Sequence, residues 1–127
     1  MNVLDFPMNL AVVEYFYYET ADYLEDYVDV YADWFPEEIK GEDHIDEQVD
    51  WLADFMDKHL KLVDTVTEYT DLEGGYEDLA LIFEVDGKFY GFQFSDSAYD
   101  GLEANAVKLG DCPEYKPVQR TTYERVR

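Results

Sequence analysis

Acidic side chains recur through the first half of this chain at intervals that bring them onto one side of a helix. If Leu10 to Phe35 is helical, Glu19, Asp22, Glu25, Asp26, Asp29 and Asp33 fall within a sector of roughly 120°, at about 100° per residue. Phe16, Tyr23, Leu24, Tyr27, Tyr31, Trp34 and Phe35 then face the other way. Asp46, Asp50, Asp54 and Asp57 repeat the spacing opposite Ile45, Val49, Leu52, Met56 and Leu60. Carboxylates arranged in this way can hold a metal, share a proton in catalysis, or attract a basic macromolecule. The residues around them discriminate among these chemistries.

A calcium loop sets acidic ligands at alternate positions before a glycine, D-x-[DN]-x-[DN]-G, and Ser95 to Gly101 resembles it only loosely. A di-metal bundle needs inward Glu-x-x-His pairs, whereas these carboxylates face away from the apolar side. His44 and His59 have no ligand spacing and read as surface or cap residues. Catalysis is no better served. Ser95 and Ser97 are the only serines, neither in a nucleophile elbow, and the single Cys112 has no basic neighbour to activate it. No catalytic residue, metal or cofactor is expected, and the chain reads as non-enzymatic.

Phosphate-cradling glycine loops are missing, and Gly74-Gly75 precedes no basic helix. The 12 tyrosines are interleaved with Asp and Glu, so a base-stacking platform built from them would repel the backbone it had to hold. Direct nucleic-acid binding is therefore not expected.

The net charge of −22 in 127 residues makes acidity a property of the whole protein. Such charge opposes compaction, but a chain that is 47% hydrophobic and 17% aromatic can still form a core. One domain spanning residues 1–127 is expected, with about two thirds of its unfolded surface buried. A lone cysteine excludes an internal disulfide and favours a reducing compartment. The N-terminus lacks a basic signal-peptide region, no run of 18 apolar residues could cross a bilayer, and anionic lipid would repel the body. These features predict a cytoplasmic protein without a membrane partner, monomeric or dimeric.

The fold class expected is α+β, with two N-terminal acidic amphipathic helices packed on a small C-terminal antiparallel β-sheet. Pro36 should stop the first helix, because proline disfavours helical geometry in the residue before it. Asp43 is the expected N-cap of a second helix running from about His44 to Leu62. Val63, Val66 and Tyr69 suggest a strand or an irregular lead-in, and Leu72 to Gly75 a turn. Leu79 to Val85 and Lys88 to Phe94 form a hairpin around Asp86-Gly87, with Tyr90, Phe92 and Phe94 sharing the face that covers the helices. Ser95 to Gly101 reads as a loop, Leu102 to Leu109 as a short helix or strand, and Tyr115 to Val126 as extended. The acidic excess ends there: Lys116, Arg120, Arg125 and Arg127 make residues 113–127 net basic.

What remains is a surface that attracts cations. Duplex DNA carries one negative charge per roughly 1.7 Å of axis, and its protein partners answer with Lys and Arg. A helix with a carboxylate at each turn spaces its charges by roughly 4.5 to 6 Å, similar to phosphates along one strand. Solubility alone needs only about 2 to 8 net charges in a small domain. Two carboxylate rows can therefore imitate a phosphate track.

Compact, acidic, tyrosine-rich chains of this kind resemble the DNA-mimic inhibitors that phages encode against restriction, CRISPR or repair nucleases. The segment Glu77 to Gly101, EDLALIFEVDGKFYGFQFSDSAYDG, is also similar to a hairpin-plus-loop segment of small phage proteins, with its D-G-K-[FY]-Y turn and S-x-Y-[DHN]-G loop. The resemblance implies an anti-CRISPR or anti-restriction inhibitor that blocks the basic cleft of a nuclease or Cas effector in the host cytoplasm. Glu19, Asp22, Glu25, Asp26, Asp29, Asp33, Asp46, Asp50, Asp54 and Asp57 are its expected contact residues. An immunity protein against a cognate nuclease toxin, or an acidic protein-interaction module without mimicry, fits the same sequence.

Overall fold

The computed structural model describes residues 2–118 and 123–126. Its elements run β1 (Pro7–Met8), α1 (Leu10–Tyr17), a 3-10 helix (Leu24–Tyr31), α2 (Ile45–His59), β2 (Lys61–Asp71), β3 (Tyr76–Val85), β4 (Lys88–Ser97), β5 (Gly101–Glu103), β6 (Val107–Lys108) and β7 (Glu114–Tyr115), with shorter 3-10 turns between. The architecture is α+β, helices first and sheet after. Antiparallel strands follow the order β2-β3-β4-β5, β7 also pairs with β4, and β1 pairs separately with β6.

The first expected helix is two segments. Asn9 caps α1 by accepting from the Ala11 N–H at 2.9 Å, and α1 ends at Tyr17. Glu19 then enters the left-handed region at φ 53°, turning the chain so that the Thr20 N–H reaches the Glu14 carbonyl at 3.3 Å. Tyr31 fixes the return. Its hydroxyl accepts from Asn9 Nδ2 at 2.9 Å and donates to the Pro7 carbonyl at 2.7 Å. In a continuous helix, Tyr31 would stand about 33 Å from Asn9, so those bonds require the fold-back. Tyr23, expected on the apolar side, lies in the turn and is 47% exposed.

The second helix follows the sequence closely, with Leu52, Met56 and Leu60 buried. Asp46 and Glu47 sit in its first turn and Lys58 and His59 in its last, as the helix dipole favours. Asp43 does not cap it. The chain enters α2 through the short 3-10 turn Glu42–His44, which leaves His44 at the cap position with no side-chain cap bond.

Asp86 and Gly87 both take positive φ, 50° and 81°, the pair of values that lets a two-residue turn match strand twist. Register from Val85↔Lys88 to Tyr76↔Ser97 is continuous, so β3 and β4 outrun the expected strands and Ser95 to Ser97 belongs to β4. Val63, Val66 and Tyr69 lie in β2, which carries two register shifts against β3. Leu102 falls in β5, Val107 and Lys108 in β6, and Leu109 opens a 3-10 turn. Of the expected Tyr115 to Val126 stretch, only Tyr115 among the described residues lies in a strand, where with Glu114 it makes up β7; 119–122, including Arg120, and also Arg127 lie outside the described residues.

Leu79, Leu81, Phe83, Tyr90, Phe92 and Phe94 face the helices and join their core. Phe6 fastens the helical layer: its ring packs on Tyr31, Phe55 and Trp34 with centroids 5.0, 5.2 and 5.3 Å away. On the opposite sheet face the Tyr115 ring lies where a side chain at residue 91 would stand, which is why Gly91 occupies that position.

Candidate functional site

All ten expected contact carboxylates are exposed, but their arrangement differs from two straight rows. On α2 the row is intact. Asp46, Asp50, Asp54 and Asp57 advance along the axis in steps of about 6, 6 and 4.5 Å. The other six are divided by the break in the first helix. Glu19 and Asp22 belong to the link, Glu25, Asp26 and Asp29 to the 3-10 helix, and Asp33 to the turn after it. Residues three apart eclipse in 3-10 geometry, so only Asp26 and Asp29 stack, at a separation of about 6 Å along the axis. Sequence periodicity supplies the outward orientation of these groups, while the break removes the six-residue ribbon.

Two carboxylates of the α2 row, Asp54 and Asp57, have internal partners. Lys58 Nζ lies 2.8 Å from Asp54 Oδ2 in an exposed i, i+4 pair, a contact that leaves most of the charge available to a stronger partner. Asp57 Oδ1 accepts from the Tyr15 hydroxyl at 2.6 Å, tying α1 to α2. Burial first, then this bond to Asp57, pushes the Tyr15 phenol up to about 12. Tyr15 is therefore a neutral donor that fixes the rotamer of one acidic residue at neutral pH.

Against this face lies a groove of about 730 Å³ between the 3-10 helix and the approach to α2. Gln48 builds its wall. This side chain occurs within the apolar stripe of α2, is 6% exposed, and donates from Nε2 to the carbonyls of Ile39 at 2.8 Å and Gly41 at 3.0 Å. Gly41 sits at φ 110°, which side-chain-bearing residues rarely adopt. A glutamine at an apolar helix position was the readable signal for this clamp.

Negative charge extends to the outer face of the sheet, where Glu68, Asp78 and Glu103 come from three strands to line a concavity of about 440 Å³. Asp78 accepts from the Tyr76 hydroxyl at 2.6 Å, and Glu68 from Gln93 Nε2 at 3.2 Å. Among the described residues no three His, Cys, Asp or Glu side chains group to hold a metal ion. Cys112 is buried, and burial, with Asp111 adding to it, pushes its thiol up to about 11, leaving little thiolate at neutral pH. His59 is exposed and lies against Phe55 with centroids 4.5 Å apart, and His44 Nδ1 is 3.6 Å from Glu47.

Glu14 is one of the acidic residues that periodicity placed in no site. It lies on α1, only 8% exposed, and its Oε2 has no hydrogen-bond partner among the described residues. Burial, then the neighbouring Asp26, raises its carboxyl above the ordinary value of 4.5.

No known protein family, curated protein or solved structure matches this chain. Among the described residues, no helix is long and apolar enough to cross a membrane.

Proposed function

We propose that this protein is a non-enzymatic inhibitor whose acidic helical face imitates nucleic-acid charge and occupies the DNA- or RNA-binding cleft of a basic nuclease or Cas-type effector. The observation that supports it is the exposure of all ten carboxylates around a core of buried apolar side chains. Acidic steps of about 4.5 to 6 Å on α2 suit an array of Lys and Arg evolved to follow phosphates. Long-range attraction would speed encounter, and contacts at the centre of the face would hold the complex.

Cleavage of a DNA substrate by a restriction nuclease or a Cas effector, titrated with this protein, tests the proposal. Reversing Asp26, Asp29, Asp46 and Asp50 to lysine together is expected to weaken inhibition by about 100-fold at low salt, through slower association. Inhibition indifferent to that reversal overturns charge mimicry.

One observation favours a second reading, a protein-interaction module that uses its sheet. β2 is an edge strand of 11 residues, exposed along most of its length. Its two register shifts and the charges of Asp64 and Glu68 are the features that discourage uninvited strand pairing, which places this reading second. A strand-edge complex would survive about 0.5 M salt, where screening acts within a few ångströms.

A further inference from the structure

The groove beside the 3-10 helix combines an apolar floor with an acidic rim. Val28, Ala32, Phe35 and Ile45 supply the floor, and Glu25, Asp29, Glu42 and Asp43 stand around it. Among the described residues, Lys40 is the one basic lining residue, and its Nζ already lies 3.3 Å from Glu37. Gln48 and Gly41 hold the wall in place, so the opening is built into the fold. A volume of about 730 Å³ is within the range of preformed binding clefts.

We propose that this groove anchors a basic segment of the partner protein, one that presents an aliphatic or aromatic side chain between lysines or arginines. Charge complementarity selects that occupant. A purely polar cation would leave the floor uncovered, and an acidic or neutral apolar segment would meet the rim without compensation. The inference deepens the reading of the acidic face as a protein-docking surface and rests on it: the carboxylate row steers the partner, and the groove supplies the salt-insensitive contact that fixes its position.

Two short synthetic peptides of equal positive charge test it, one carrying two leucines between its arginines and the other glutamines in their place. Binding is measured by calorimetry and by amide shift mapping on the full chain. The leucine peptide is expected to bind about tenfold tighter, through apolar burial, and to retain that advantage at about 0.5 M salt. Its shifts should centre on Val28, Ala32, Phe35 and Ile45. Ala32→Trp, at an exposed position, fills the floor and should erase the advantage while leaving the glutamine peptide unaffected.

Equal binding of the two peptides, or shifts confined to Asp46 through Asp57, overturns the groove and leaves the acidic face standing. A retained leucine preference in a protein that never competes with DNA for a nuclease supports the groove and overturns the mimic. If Ala32→Trp fails to fold, the shift map of the unmodified protein decides alone.

Discussion

Replacing Glu14 with glutamine should stabilise this protein at pH 7, and the gain should disappear in acid. The carboxyl is 8% exposed, its Oε2 lacks a partner among the described residues, and Asp26 adds repulsion. An unsatisfied buried acceptor costs about 1–3 kcal/mol, toward the upper end when it is charged. Glutamine keeps the shape and removes the charge but brings an N–H₂ group needing its own partner, so a net gain of about 1 kcal/mol is expected.

The pH dependence follows from linkage. Because the folded carboxyl titrates above its unfolded value, the native state binds more protons than the unfolded state between those two values. Stability therefore falls as pH rises through that window, and the Glu14 penalty is fully present above the folded value. The glutamine variant has no such penalty. Its advantage should be largest near pH 7, shrink as the pH approaches 4.5, and correspond to a melting-temperature gain of roughly 4 °C per kcal/mol at neutral pH. Urea unfolding of both proteins at pH 7 and pH 5 measures it, and taking the difference cancels the remaining acidic residues. A variant less stable at pH 7, or equally favoured at both pH values, refutes the account of Glu14.

Glu19→Gly should stabilise the chain by about 0.5–1 kcal/mol in the same assay, because φ 53° strains a side-chain-bearing residue and suits glycine; a loss would mean that Glu19 makes a contact worth more than the strain. Gly91→Ala should destabilise by about 1–3 kcal/mol, since its Cβ would collide with the Tyr115 ring, and Tyr115→Ala in the same chain should recover part of that loss; failure of the rescue would place the damage elsewhere. Raising salt from about 0.02 to 0.5 M should increase the melting temperature, because screening relieves repulsion within a chain of net charge −22; an unchanged or falling value would show that this repulsion does not limit stability.

The parts of the fold readable in sequence are those decided locally. Asp86-Gly87 dictates its hairpin because few dipeptides take two consecutive positive φ angles, and alternation in β4 then assigns Tyr90, Phe92 and Phe94 to the core. In α2, apolar spacing and charges at the ends agree, and the helix stays within three residues of its expected limits. Leu10 to Phe35 offers no such guidance. It contains neither glycine nor proline, so nothing local marks the break. Asn9, Pro7 and Tyr31 decide it through hydrogen bonds spanning 22 and 24 residues, and Glu19 accepts the left-handed conformation that the reversal demands.

The same distinction governs the candidate site. Exposure of each acidic side chain follows from the apolar residues that must be buried beside it, so it survives a wrong helix boundary. The spacing of charges depends on backbone geometry and does not survive. A 3-10 helix advances about 2.0 Å per residue and eclipses every third side chain, which leaves Asp26 over Asp29 and turns Glu25 toward the groove. The groove is lined from Glu25 onward, and Tyr31, through its bonds to Asn9 and Pro7, holds the Val28 to Phe35 surface against the approach to α2 as its floor. Glu19→Pro should separate the groove from the row. Proline cannot adopt the positive φ of the link, so the variant should lose the Asn9 to Tyr31 bond and the groove while the α2 row stays exposed. Amide shifts unchanged at Ala32 and Ile45 in that variant would show that the groove forms independently of the break.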